Sequence, residues 1–173
     1  MTPSSSHYQV AEAYGGLRNL VLGTKPSDIG VVPTNPDEVW GVLMETGHPN
    51  VAVSLVAIAD GTVSMYFSNG GGIIGLGPHE GPKQAAKALL TQAQQFPKHA
   101  QPTKDYPLPE VGHTRFYLLA GDHVVTADAE SDDLAAGRHA MSSLFRKSHE
   151  LISAIRLVHE KQQAAQESSK VPR

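Results

Sequence analysis

A glycine-rich segment over residues 69–79 is the part of the sequence closest to a binding motif. Glycine has no Cβ atom, so a ligand can approach its backbone closely, and successive N–H groups can form a nest that binds an anion. The alternative is a purely structural loop, whose glycines permit a tight passage beneath a helix. We predict that the segment binds a small anionic or polar ligand. The predicted ligand-binding residues are Asn69, Gly70, Gly71, Gly72, Gly75 and His79.

The same glycines match the letters of the pattern G-x-G-x-x-G but not its structural context. A dinucleotide-binding loop follows a parallel strand, opens directly into a helix and has an acidic residue about 20 residues later. Here the preceding strand belongs to a predicted hairpin, and Pro78 and Pro82 separate the glycines from the next helix. Gln95 stands where the acidic residue would be, and no Gly-Lys-Ser/Thr follows. The sequence therefore disfavours both dinucleotide-binding and Walker loops.

Nine histidines suggest metal binding, but their spacing does not support it. Zinc sites use closely spaced histidines or cysteines, and the chain has no cysteine. His139, His149 and His159 follow one another at intervals of ten residues on a predicted helix. Each is therefore turned by about 80° from the last, so the three do not converge. We expect no metal site and no cofactor.

The sequence identifies no catalytic residue, and it leaves open whether the protein is an enzyme. A serine nucleophile on a G-x-S-x-G turn is absent from the sequence. His139 and Ser143 lie four residues apart on the predicted helix, so their side chains can meet. Neither an orienting acid nor an oxyanion-binding group accompanies them in the sequence, and a serine-histidine pair needs both to act.

Composition and charge disfavour two classes of partner. The formal net charge is −3, and the basic residues are scattered rather than gathered in the stripe typical of nucleic-acid binding. The longest apolar run, Val51 to Ala59, is far too short to span a bilayer. The first residues lack the basic and apolar regions of a secretory signal. We expect a cytoplasmic protein that binds neither nucleic acid nor membrane.

The pattern of apolar residues predicts one α+β domain over residues 7–160, with disordered tails at 1–6 and 161–173. Helical spacing marks the helices, and apolar runs bounded by glycine or proline mark the strands. The predicted elements are a helix over 7–22, strands over 39–46, 51–59 and 62–68, a helix over 82–96, strands over 113–120 and 123–129, and a helix over 133–159. Hairpins make the five-stranded sheet mostly antiparallel. This order of elements resembles the profilin-like scaffolds, including roadblock and longin domains, in architecture only.

Two hairpin turns predict which residues face each other across the sheet. A two-residue turn at Asp60-Gly61 would pair Ile58 with Val63. Both faces of these strands would then carry apolar side chains, so we expect helices or another subunit to cover the sheet on both sides. A two-residue turn at Gly121-Asp122 would place Arg115 opposite Asp128. Such a cross-strand ion pair contributes about 0.2–1 kcal/mol. We interpret that pair as a stabilising contact rather than a catalytic one.

The last helix carries an apolar seam at alternating three- and four-residue steps. Its members are Leu134, Met141, Leu144, Leu151, Ile155 and Val158. One interpretation is a helix that packs across its own sheet, and the other is pairing with a partner helix. The predicted interface residues are Leu144, Leu151, Ile155 and Val158. The leading functional hypothesis is a non-enzymatic domain that acts by association, as a homodimer. The alternative is a domain that binds a small molecule or anion, possibly an enzyme, through residues 69–79.

Overall fold

A computed structural model describes residues 8–170 of the 173-residue chain as an α+β protein. The predicted tail at 1–6 lies outside the described residues. The helices are α1 (Glu12–Gly23), α2 (Glu80–Ala93), α3 (Ser131–Ala135) and α4 (Ser142–Ser169). The strands are β1 (Val39–Gly47), β2 (Ala52–Ile58), β3 (Val63–Phe67), β4 (Gly72–Ile73), β5 (Gln101–Thr103), β6 (His113–Ala120) and β7 (His123–Glu130). Short 3-10 turns follow α1 and α2 at Pro26–Ile29 and Pro97–His99.

The strands form one antiparallel sheet in the order β4-β3-β2-β1-β6-β7-β5. The expected antiparallel sheet is confirmed, but the expected number of five strands is wrong because the sheet has seven. The two additional strands, β4 and β5, are the two edges. They have two and three residues and lie in glycine- or proline-rich segments, so no alternating pattern marks them. Pro102 within β5 is typical of an edge strand, which leaves one side of its backbone unpaired.

Each predicted hairpin has a different outcome. The β6–β7 register is confirmed, with Arg115 opposite Asp128 and 3.1 Å between their charged atoms. The β2–β3 register is wrong by one residue, because Val63 pairs with Ala57 rather than with Ile58. Ile58 instead donates its N–H to the carbonyl of Thr62, which leaves a three-residue loop that ends at Gly61, with φ of 98°. Because side chains alternate between the two faces of a sheet, a one-residue shift places every side chain of one strand beside the opposite set of side chains of its partner.

Helices cover both faces of the sheet. On one face, α2 and α4 pack antiparallel: Gln92 donates to Ser143 at one end, and Gly81 approaches Ala154 near the other. The core of this face includes Met44, Leu55, Met65, Phe116, Leu118, Leu89, Leu144 and Leu151. On the opposite face, α1 packs over a second core that includes Trp40, Leu43, Val56, Tyr66, Tyr117 and Leu119. Alternate residues of the same strands supply the two cores, as the strand geometry requires.

The helical segment after β7 is broken, although the sequence predicts one helix over 133–159. Gly137 adopts φ of 77° just after α3, a left-handed conformation that commonly ends a helix. The chain then turns, and α4 begins at Ser142. At its other end α4 continues to Ser169, through residues that the composition predicted to be disordered. Residues 161–169 include three glutamines and two alanines, which favour helix even when exposed.

Within residues 8–170 no helix is both long enough and apolar enough to cross a membrane.

Candidate functional site

The glycine-rich segment forms a turn and the edge strand β4. Gly70 closes the turn with φ of 108° and donates its N–H to the carbonyl of Phe67 at 2.9 Å. The N–H of Gly71 is directed at Oδ1 of Asn69 at 3.3 Å. Gly72 and Ile73 then pair with β3. The N–H groups of Gly70 and Gly71 are used within the turn, so an anion bound by them would have to displace existing hydrogen bonds.

The second half of the segment crosses under the β2–β3 hairpin. At Gly77 any Cβ atom would overlap the carbonyl oxygen of Gly61, so only glycine allows this passage. Gly75 adopts φ of 74° just before it. His79 immediately precedes α2, and its Nε2 lies 3.5 Å from the side-chain nitrogen of Gln162 on α4. Gly75 and His79 therefore lie away from the lip formed by Gly71, Gly72 and Ile73.

That lip borders the largest cleft beside the segment, a space of about 940 Å³ between the sheet and α4. We call it the α4 cleft. Ligand-binding pockets span roughly 300–1,000 Å³, so this volume suits a small molecule. The base of the cleft is formed by Met44, Leu55 and Met65, which belong to the core beneath α2 and α4. Five half-buried apolar side chains surround this base: Val53, Phe67, Ile73, Phe145 and Ile152.

Basic side chains from two distant parts of the chain meet at the rim of the α4 cleft. They are His48, in the turn after β1, and His149 and Arg156 on α4. The ring of His149 lies 4.3 Å from that of Phe145, centroid to centroid. Partial burial there lowers the pKa of His149, and the positive charges of Arg156 and His48 lower it further. His149 is therefore kept neutral at neutral pH beside a permanent cation.

Acidic side chains also line the α4 cleft, at Asp132 of α3 and Glu160 of α4. The cleft lining therefore carries charges of both signs, and the charged groups that lower the pKa of His149 are the positive ones, Arg156 and His48. Within residues 8–170, Arg156 forms no ion pair with a carboxylate. The rim around His149 is thus locally suited to an anionic group.

No protein-family model matches the chain, and neither a curated protein nor a solved structure matches it. The resemblance to profilin-like scaffolds accordingly stays one of element order.

A second group of ionisable side chains lies between α1 and the sheet and is closed to solvent. Glu45 of β1 is fully buried, and Arg18 of α1 holds its carboxylate through N–H···O bonds of 2.8–3.0 Å. Ser54 donates to the same carboxylate at 2.6 Å, and the hydroxyls of Tyr14 and Ser54 lie 2.7 Å apart. We call these four residues the Glu45 network. Burial, and then the charge of Glu45, raise the pKa of Tyr14. The network binds α1 to the sheet through hydrogen bonds among buried and half-buried side chains.

The predicted interface residues occupy the interior of this chain. Leu144, Leu151 and Ile155 are completely buried between α4, α2 and the sheet, and Val158 is half-buried beside them. This arrangement corresponds to the interpretation in which the helix packs across its own sheet. Of the four residues, only Val158 has an exposed part that a second chain could contact.

Two histidines away from the α4 cleft, His113 and His139, have local partners. His113 contacts Asp128 at 2.7 Å, and His139 accepts the N–H of Met141 at 3.0 Å. His149 and His159 both line the α4 cleft even though their spacing indicated divergent directions. Within residues 8–170 no three histidine, aspartate or glutamate side chains are placed to hold one metal ion.

Sequence reasoning missed the meeting of His48, His149 and Arg156. The available signal was the spacing on α4, where Phe145, His149, Ile152 and Arg156 follow one another at steps of three or four and share a face. The spacing of the histidines relative to one another does not reveal this shared face, because its other members are not histidines. His48 carried no such signal, because its place beside α4 depends on how the helix crosses the sheet.

Proposed function

We propose that the α4 cleft binds a small molecule with an apolar body and an anionic head, such as a medium-chain carboxylate. The observation that carries this proposal is the combination of apolar walls with His48, His149 and Arg156 at one rim. The apolar body would contact the side chains of Phe67, Ile73 and Ile152. The head group would lie beside His149 and Arg156, in a cleft whose lining also includes the carboxylates of Asp132 and Glu160.

The two parts of the ligand contribute differently to binding. Each CH₂ group removed from water contributes about 0.8 kcal/mol, so the apolar body supplies most of the affinity. The exposed cationic rim contributes about 1 kcal/mol, because solvent and salt screen charges there. The rim mainly selects ligands with an anionic group and fixes the direction in which they enter the cleft.

Titration calorimetry with decanoate tests the proposal. We expect decanoate to bind, octanoate to bind about tenfold more weakly because it loses two CH₂ groups, and decanol to bind more weakly for lack of a charge. Arg156→Gln should weaken decanoate binding about fivefold. Affinity should be higher at about pH 6 than at about pH 8, because an anion favours the protonated form of His149, whose pKa is low in the free protein.

Arg146→Gln is the matched control, since Arg146 is exposed on the same helix but does not line the cleft. It should bind decanoate as the wild type does. Binding that is equal for decanoate and decanol would show that the basic rim is not used. No heat with any of the three ligands would rule out the proposed function.

We also propose self-association as a second function, on the outer surface of α1. This helix exposes 69% of Leu20 and 37% of Leu17. Its only charged residues are Glu12 and Arg18, and Arg18 is committed to Glu45. A helix surface that is apolar and almost uncharged suits contact with a second copy, the commonest form of assembly.

Size-exclusion chromatography with light scattering tests this second function. We expect a dimeric wild type and a monomeric Leu20→Glu variant, because a dimer contact on α1 would bury the introduced carboxylate. Leu157→Glu, which changes an exposed leucine on α4, should remain dimeric. A monomeric wild type at all concentrations would contradict the proposal.

A further inference from the structure

A second groove lies on the opposite face of the sheet from the α4 cleft. One wall is the end of α1 with the turn that follows it, and the other is β5 with Tyr106. Trp40, Leu119 and Val124, from three neighbouring strands, line it between these walls. We call this space, of about 800 Å³, the Trp40 groove.

The Trp40 groove is held open by contacts that do not depend on a ligand. The indole N–H of Trp40 donates to the carbonyl of Gly121 at 3.0 Å, which fixes the ring. Tyr106 packs edge-on against Tyr117, with ring centroids 5.6 Å apart. Tyr117 in turn donates to the carbonyl of Pro107 at 2.5 Å, which secures the segment after β5 to the sheet. Both aromatic side chains of the groove are therefore positioned in advance.

Positive charges face the Trp40 groove from both walls. Lys25 lies on the turn after α1, and Lys104 follows β5 on the other side. In the described part of the chain, neither forms an ion pair with a carboxylate. The single acidic residue of the lining, Asp122, is fully exposed and lies 3.6 Å from the ring of His123. The groove is thus apolar and aromatic at its base and cationic on both sides.

From this arrangement we propose that the Trp40 groove is a second binding site, for a planar aromatic molecule that carries an anionic group. Aromatic rings interact favourably edge-to-face or offset-stacked with other aromatic rings. The half-buried ring of Tyr106 provides such a contact, and Trp40, which is 4% exposed, adds only a small area at the base of the groove. The anionic group is held between Lys25 and Lys104. The volume of about 800 Å³ is within the range of small-molecule sites. This site is separate from the α4 cleft and does not depend on it.

Trp40 is the only tryptophan of the chain, so its signal reports on this groove alone. Incorporating fluorotryptophan gives one fluorine NMR resonance, which can be followed while naphthoate is added to the full-length protein. We expect the resonance to shift and saturate. Lys25→Gln with Lys104→Gln should weaken naphthoate binding about tenfold, since two screened cations are lost. Neutral naphthamide should bind the wild type more weakly than naphthoate by a similar factor.

Two controls separate this site from the rest of the molecule. Lys83→Gln with Lys87→Gln makes the same charge change on exposed positions of α2 and should leave the titration unchanged. Arg156→Gln in the α4 cleft should also leave it unchanged, so failure of either proposed site can be recognised independently. A resonance that does not move, or that moves equally with naphthoate and naphthamide, would overturn the proposal.

Discussion

Replacing Arg18 with methionine is expected to lower the free energy of unfolding by about 3 kcal/mol. The change leaves the carboxylate of Glu45 fully buried without its guanidinium partner, and only hydroxyl groups remain to stabilise it. Removing one partner of a buried ion pair costs far more than the pair contributes over an apolar replacement. The double variant Arg18→Met with Glu45→Leu should therefore recover most of the lost stability.

Urea unfolding followed by the fluorescence of Trp40 measures these differences. Arg138→Met is the matched control: Arg138 also pairs with a carboxylate at 2.7 Å, that of Asp133, but its side chain is 63% exposed. An exposed pair contributes at most about 1 kcal/mol. Arg18→Met and Arg138→Met with equal stabilities would show that the Glu45 network does not hold α1 on the sheet.

The two hairpins show what turn residues can and cannot predict. Gly121-Asp122 and Asp60-Gly61 both join two apolar strands with glycine and aspartate, and only the first forms the two-residue turn. At Gly61 the segment around Gly77 passes directly beneath the hairpin. A contact between residues so far apart in sequence leaves no mark on the turn residues, so the register of β2 and β3 could not be read from them.

The Glu45 network shows a similar limit for buried polar residues. The alternation of β1 places Glu45 on one face, but the sequence does not say that α1 covers that face. Arg18 lies 27 residues away and reaches the carboxylate only because α1 crosses β1 and β2 at that point. The α4 cleft has the same origin, since His48 and Arg156 meet only after α4 is packed on the sheet. Spacing within one element was therefore predictable, and meetings between elements were not.

The glycine-rich segment illustrates why an informative composition need not mark the binding residues themselves. Its glycines serve the turn at Gly70, the passage at Gly77 and the pairing of β4 with β3. Of these glycines, only Gly71 and Gly72 border the α4 cleft, and because they have no side chains they do not obstruct its entrance. The segment thus borders the entrance of the proposed site, and the contacts proposed for the anionic group come from His48, His149 and Arg156.

Replacing Leu151 with glutamate is expected to abolish the folded state. Leu151 is fully buried in the core between α4, α2 and the sheet, where a carboxylate would have no partner. The cost of burying an unpaired charge exceeds several kcal/mol, and a domain of this size is stable by only about 5–15 kcal/mol. Circular dichroism and urea unfolding should show a chain that is unfolded or lacks a cooperative transition.

Leu157→Glu provides the comparison on the same helix, because that leucine is 59% exposed and should tolerate the change within about 0.5 kcal/mol. The contrast decides between the two interpretations of the apolar seam. If Leu151 belonged to a contact with a partner helix, Leu151→Glu would give a folded monomer with near-normal stability. A packed core instead requires that Leu151→Glu unfold the protein while Leu157→Glu leaves both its stability and its oligomeric state unchanged.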